Sequence, residues 1–155
     1  VEEVPKTERL ITIEDAAELT LPSHLNKLHL FYSKGGQGTS AVSAKLLLEA
    51  CLRLRPDRIF LAAMRGEEAF SFLRLAACGP PGSVTSVHAG SCELAFEQIS
   101  LMVRESKGGG GMTMPEIHRL AHAVIDVVVH FGVDARGRFI SGIHYDPRAR
   151  LREVA

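Results

Sequence analysis

Tryptophan is absent from the 155 residues, and two tyrosines and seven phenylalanines hold the aromatic share to 6%. A platform that stacks the bases of a single strand needs aromatics along a basic groove. The chain has neither, because 18 Lys and Arg are offset by 18 Asp and Glu. That balance also argues against an electrostatic membrane anchor, and direct nucleic-acid binding is not expected. No apolar run approaches the roughly 18–20 residues that span a bilayer. A charged-then-apolar leader is missing as well, so nothing marks the chain for export. Cysteine is scarce: Cys51, Cys78 and Cys92 form no CxxC pair and no even-numbered framework. Reduced, mostly buried thiols and a cytosolic compartment are the expectation. Repeats and low-complexity segments are absent too.

What is present is an alternation of strands and helices in a chain long enough to bury a core. Leu10-Ile11-Thr12-Ile13 is a β-branched run closing on Glu14 and Asp15. Leu28 to Tyr32 reads as a second strand. From Ala44 to Leu54, Leu47, Cys51 and Leu54 recur at helical spacing, and Pro56 ends the helix. Arg58 to Ala63 is a continuous apolar strand of the kind buried in parallel sheets. A helix over 67–77 is broken at Gly79-Pro80-Pro81-Gly82, and Ser83 to His88 reads as the next strand. Ser91 caps a helix to about Glu105, and Gly108 to Gly111 reads as a flexible joint. Thr113-Met114-Pro115-Glu116 is a capping box opening a helix to about Ala123. Val124 to Phe131 and Arg138 to Tyr145, joined through Asp134-Ala135-Arg136-Gly137, predict an antiparallel hairpin. The expected class is α/β, with a mainly parallel sheet in residues 1–107 and a helix and hairpin of the same domain in residues 108–155.

Open parallel sheets bind ligands at the C-terminal ends of their strands. Those ends deliver Glu14 and Asp15 with Glu18 close behind, then Ala63, Met64 and Arg65, then His88 before a helix N-terminus. Acids, an arginine and a histidine on one edge suit a magnesium-bound phosphate ester and an attacking water. Simpler roles exist for each. Glu14 and Asp15 could form a strand-end turn and cap, Arg65 could pair with Glu68 in solvent, and His88 could orient the Ser91 cap. His24, His29, His118, His122, His130 and His144 share no strand end with His88. His118 and His122 have metal-ligand spacing, but no acid or third ligand accompanies them, so an exposed helix face is expected. Gly35-Gly36-Gln37-Gly38-Thr39-Ser40 lies where a phosphate-cradling loop would. That loop needs Lys directly after its last Gly, whereas here Thr39 follows Gly38 and Lys34 precedes the glycines. A mobile connector is the better reading.

The stretches "ERLITIEDAAEL", "LLLEACLRLRPDRIFLAAMRGEEAFSFL" and "GSVTSVHAGSCELAFEQISLMV", in this order, resemble the hexameric traffic ATPases of bacterial type IV secretion and conjugation systems. These belong to the wider type II/IV secretion ATPase superfamily. The resemblance extends to the hairpin "VIDVVVHF…RFISGIHYDP". It implies a RecA-like C-terminal motor domain of the P-loop NTPase fold, which uses ATP with Mg2+. It further implies a homo-hexamer of full-length subunits on the cytoplasmic face of the inner membrane. Other components of the apparatus would be its partners in protein or DNA export or in assembly. The family's acidic "Asp box" falls on Glu14, Asp15 and Glu18, which would order water and magnesium at the γ-phosphate, with Asp15 as the metal contact. Its "His box" falls on His88, a γ-phosphate sensor, and the arginine ending its Walker B region falls on Arg65.

Departures accompany the resemblance. The family's Walker A loop is expected just upstream of Val1, with Val1-Glu2-Glu3-Val4-Pro5 as the tail of the following helix, and the N-terminal domain that lends arginines to a neighbour is not in the chain. Ala63 stands where the family has the Walker B glutamate, and Pro80 replaces a family histidine. Glu67 lies past the turn and is poorly placed to substitute. Losing one well-aimed polar group costs on the order of 10²–10³ in rate, so the chain alone is expected neither to bind ATP tightly nor to turn it over. Two other readings compete. One is a non-catalytic ring or assembly component, or a degenerate remnant of that ATPase. The other is an unrelated zinc or manganese hydrolase using Asp15, Glu18 and His88.

Overall fold

Strand β1, Leu10–Glu14, is buried at all five positions, so its sequence has to be apolar except where a polar group finds a partner. It is flanked by β2 (Lys27–Phe31) and β3 (Arg58–Leu61), both parallel to it, giving the order β2-β1-β3. The register sets Thr12 beside His29 on one side and Phe60 on the other. The computed structural model describes residues 2–33, 42–78 and 81–145. The glycine-rich segment from Gly35 to Ser40 and the position of Pro80 lie outside them.

The first compact unit is Val1–Ser86. Its helix α1 (Ala44–Leu54) starts at Ser43, whose hydroxyl accepts the Leu46 N–H at 3.2 Å. It buries Ala44, Leu48 and Cys51, with Leu47 and Leu54 half-buried at the flank of the face expected from spacing. Arg55, at φ 49°, turns the chain out of the helix before Pro56. Helix α2 (Glu68–Cys78) buries Ala69, Phe72, Leu73 and Leu75 and packs on α1. The strand expected over 83–88 shrinks to one parallel bridge between Val84 and Phe60. Ser86 O still accepts the Met64 N–H at 2.8 Å, so the segment runs beside β3. Of its six residues only Val84 and Val87 are apolar, the first exposed and the second half-buried, so little burial holds a longer ladder.

The second unit is Val87–Ala155. Helix α3 (Cys92–Glu105) packs against α4 (Met114–Val124) and against the hairpin of β4 (Val127–Asp134) and β5 (Gly137–Tyr145). Glu116 reaches back to the Thr113 N–H and hydroxyl, both at 2.8 Å, as the capping box requires. The hairpin is antiparallel, as expected, but β4 begins at Val127 and reaches Asp134, because Gly137 at φ 121° permits a two-residue turn. Its outer face is a ladder of exposed apolar pairs: Val127 with Tyr145, Val129 with Ile143, and Phe131 with Ile140.

One expectation needs correction here. Gly108 to Gly111 is not a flexible joint: the Ser106 hydroxyl accepts the Gly109 N–H at 3.0 Å, and Ser106 O accepts the Gly110 N–H at 3.0 Å. Gly109 is buried against the end of α3, where a Cβ would stand 2.2 Å from Val103 O. His122 is exposed and His118 half-buried, in keeping with the expected helix face, but both have partners. The His122 ring stacks on Phe96 at 4.0 Å with His144 edge-on at 5.9 Å, and His118 Nε2 lies 3.2 Å from Glu97. Partners from α3 and β5 supply what α4 alone could not reveal. Among the described residues no helix is long and apolar enough to cross a membrane.

Replacing Gly109 by Ala should destabilise the protein by about 1–3 kcal/mol, the cost of overpacking against a fixed carbonyl. Gly111→Ala meets nothing within 4 Å and should be near neutral in the same melting comparison. Burial, then His144 and His118, lowers the His122 pKa below its ordinary 6.5, with Glu97 opposing. The unfolded chain therefore binds the proton more readily, and stability falls as pH drops from 6.5 through the depressed folded value. The melting temperature of His122→Phe should fall less on acidification through that window than that of the parent.

Candidate functional site

In the first unit the C-terminal ends of β1, β2 and β3 deliver Glu14, Tyr32 and the run Ala62 to Arg65 to one edge of the sheet. Glu14 is fully buried. Its Oε2 accepts the Glu18 N–H at 2.9 Å and the Leu19 N–H at 2.8 Å. Its Oε1 accepts the Thr12 hydroxyl at 2.7 Å and has His29 Nδ1 at 3.5 Å. Burial pushes the Glu14 pKa up, but Thr12, the two backbone N–H groups and His29 outweigh it, so the carboxyl titrates below its ordinary range. The strand-end acid thus holds the loop that follows it.

That loop presents Asp15 and exposed Glu18. Asp15 is a quarter exposed, and its Oδ2 lies 3.3 Å from Arg65 Nη1. Arg65 meets Glu68 differently from the solvated side-chain pair considered above. Its backbone N–H donates to Glu68 Oε1 at 2.5 Å and the Gly66 N–H adds a bond of 3.1 Å, which leaves the guanidinium for Asp15. Tyr32 is nearly buried beside this pair. Its phenol pKa is raised by burial first, then by Asp15 and Glu68, with Arg65 opposing. Ala63 is half-buried two residues past the end of β3, and Glu67 is exposed before α2. In the second unit exposed His88 precedes Ser91, whose hydroxyl accepts the Leu94 N–H at 3.1 Å to cap α3.

Sequence reasoning missed Thr12, His29, Tyr32 and the backbone role of Glu68. His29 was set aside because it shares no strand end with His88, yet the parallel register puts it next to Thr12. Tyr32 sits one residue past β2, and its N–H donates to Glu14 O at 3.0 Å. The signal available was its place at the strand end.

Among the described residues no group of three or more His, Cys, Asp or Glu is placed to hold a metal ion. A zinc or manganese site of Asp15, Glu18 and His88 therefore has no support. Magnesium makes a smaller demand, one or two carboxylates beside phosphates and waters. Partly exposed Asp15, with the Arg65 cation at its side, fits that demand.

The family model described as type II/IV secretion system protein matches residues 1–130. The type IV secretion system protein VirB11 of Brucella suis biovar 1 (strain 1330) is 48% identical over 155 residues, covering 97% of this chain and 43% of that protein. Protein VirB11 of Agrobacterium tumefaciens (strain 15955) is 41% identical over 128 residues, covering 83% of this chain and 37% of that one. The chain thus spans less than half the length of these relatives. The crystal structure of the VirB11 ATPase from the Brucella suis type IV secretion system, in complex with sulphate, superposes with a TM-score of 0.88 at 47% identity. It covers 97% of this chain and 45% of that one. The Legionella pneumophila ATPase DotB, at 14% identity and a TM-score of 0.67 over 95% of this chain and 39% of its own, shares the fold. The expected α/β class, with its parallel sheet and antiparallel hairpin, is that of the VirB11 ATPase. On a match over most of its length, the chain belongs to the type II/IV secretion system protein family.

Proposed function

We propose that this chain is part of the ATP-hydrolysing motor of a type IV secretion apparatus, with Asp15, Glu18 and Arg65 facing the γ-phosphate of Mg–ATP. The observation that carries it is the Asp15–Arg65 pair, left partly exposed at the C-terminal edge of a parallel sheet, where α/β proteins bind nucleotides. The Brucella suis relative is solved with sulphate, an anion shaped like a phosphate group. Magnesium bound with ATP supplies neutralisation of the β- and γ-phosphate charge. Asp15 orients the hydrated ion, Arg65 offsets charge developing on the transferred group, and Glu18 positions the attacking water. For His88, in the second unit, the family resemblance alone supports a γ-phosphate-sensing role. The phosphate cradle comes from polypeptide outside Val1–Ala155 in the complete protein. That protein works as a homo-hexamer on the cytoplasmic side of the inner membrane, with other components of the apparatus, to drive export or assembly.

A second reading rests on Ala63. The resemblance puts a glutamate there, and the half-buried methyl group neither orients water nor accepts a proton. A ring component that keeps the fold and has lost the chemistry would carry such a residue.

Steady-state ATP hydrolysis by the complete protein tests the first reading. Arg65→Ala should lower kcat on the order of 10²–10³, the cost of one well-aimed group, and Glu67→Gln should change little. Equal rates for parent, Asp15→Asn and Arg65→Ala would overturn the assignment. Ala63→Glu decides the second reading: in a silenced ring component it should raise kcat by a similar factor, whereas in a working motor the rate is already present without it.

A further inference from the structure

The buried strand β1 carries two polar residues on one face, Thr12 and Glu14, and the register adds His29 from β2 beside them. Stability alone favours an aliphatic residue at position 12, because a buried hydroxyl gains little and costs much if left unpaired. Thr12 is fully buried, and its Oγ1 makes two contacts, 2.7 Å to Glu14 Oε1 and 2.8 Å to His29 Nδ1. A hydroxyl has one proton. Ionised Glu14 can only accept, so that proton goes to Glu14 and Thr12 must receive a hydrogen from His29. His29 therefore carries its proton on Nδ1, which also points at Glu14 Oε1 from 3.5 Å. Beyond Glu14, the other carboxylate oxygen holds the Glu18 and Leu19 N–H groups. A directed chain thus runs from the surface side of β2 into the loop: His29 to Thr12 to Glu14 to the backbone at 18 and 19.

We propose that Thr12 and His29 are positioning residues for the phosphate-facing carboxylates. By fixing the rotamer of Glu14 they fix the loop from Asp15 to Glu18, and so the places of Asp15 and Glu18 relative to Arg65. This rests on the nucleotide-site reading of Asp15 and Glu18 given above. Neither Thr12 nor His29 touches nucleotide in it. A misplacement of about 1 Å at groups that aim at a reacting centre can cost on the order of 10²-fold in rate. Both residues lie outside the strand-end set that spacing alone selects.

The test is Thr12→Val against Thr12→Ser in the complete protein. Valine keeps the shape and the β-branch and removes the proton. Serine keeps the proton. Thr12→Val should lower kcat for ATP about 10- to 100-fold with KM changed far less, and Thr12→Ser should restore most of the rate. Amide exchange by NMR gives a readout independent of turnover: the Glu18 and Leu19 N–H groups should exchange faster in Thr12→Val, while amides of β3 keep their protection. If Thr12→Val fails to fold, His29→Leu, at a half-buried position of β2, replaces it with the same expectations. An active parent with kcat unchanged by these variants overturns the inference and leaves the nucleotide-site reading standing. An inactive parent defeats that reading instead. In that event, unchanged exchange at Glu18 and Leu19 overturns the inference, and faster exchange supports the positioning of the loop.

Discussion

A carboxylate with no exposure to water has to be satisfied on both oxygens or it destabilises the fold by several kcal/mol. Glu14 meets that demand through two consecutive backbone N–H groups, one hydroxyl and an imidazole. The local structure follows from this. Because the donors at 18 and 19 are main-chain groups, satisfying the acid means bending the chain after β1 into one particular loop. That loop in turn fixes where Asp15 and Glu18 are offered. The depressed pKa keeps the acid ionised across neutral pH, so the loop does not loosen with ordinary changes of pH.

The acids at this edge divide the labour by burial. Glu14 is spent on backbone, Glu68 is spent on the Arg65 and Gly66 N–H groups, and Asp15 keeps contact with solvent and with the Arg65 side chain. An exposed ion pair of this kind adds little to stability. On the proposed reading, its value lies in holding a cation and an anion side by side where a phosphate and its metal would need both. Nearly buried Tyr32 backs the pair, and the raised pKa of its phenol reflects the negative charge of Asp15 and Glu68 nearby.

Features that depend on local sequence were legible before the fold was known. The alternation of short apolar runs with helical patterns, the Ser91 cap, the Thr113 to Glu116 box and the hairpin all emerge from neighbours within a few positions. The position of Asp15 and Arg65 at strand ends was also legible, because strand ends can be read from where apolar runs stop. Contacts set by the register between distant strands were not legible. His29 pairs with Thr12 across 17 residues, and no periodicity reveals which strands are adjacent. The stack of His122 on Phe96 needs α3 and α4 packed together, and the constraint on Gly109 needs the carbonyl of Val103 in place. In each case the missing information was tertiary.

The same logic separates architecture from activity at Ala63. Main-chain bonds on either side of it, Ala62 N–H to Ile13 O at 2.9 Å and Met64 N–H to Ser86 O at 2.8 Å, tie β3 to its neighbours whatever side chain stands between them. The position is half-buried and lies outside the buried core. A change between alanine and glutamate there leaves the sheet as it is and alters only what is presented at its edge. Close structural agreement with the VirB11 ATPase is agreement in fold, and it would be as close for a silent subunit as for a working one. On the proposed reading, turnover would depend instead on groups that contribute little to the fold: the exposed carboxylates, the guanidinium of Arg65, and the residue at position 63.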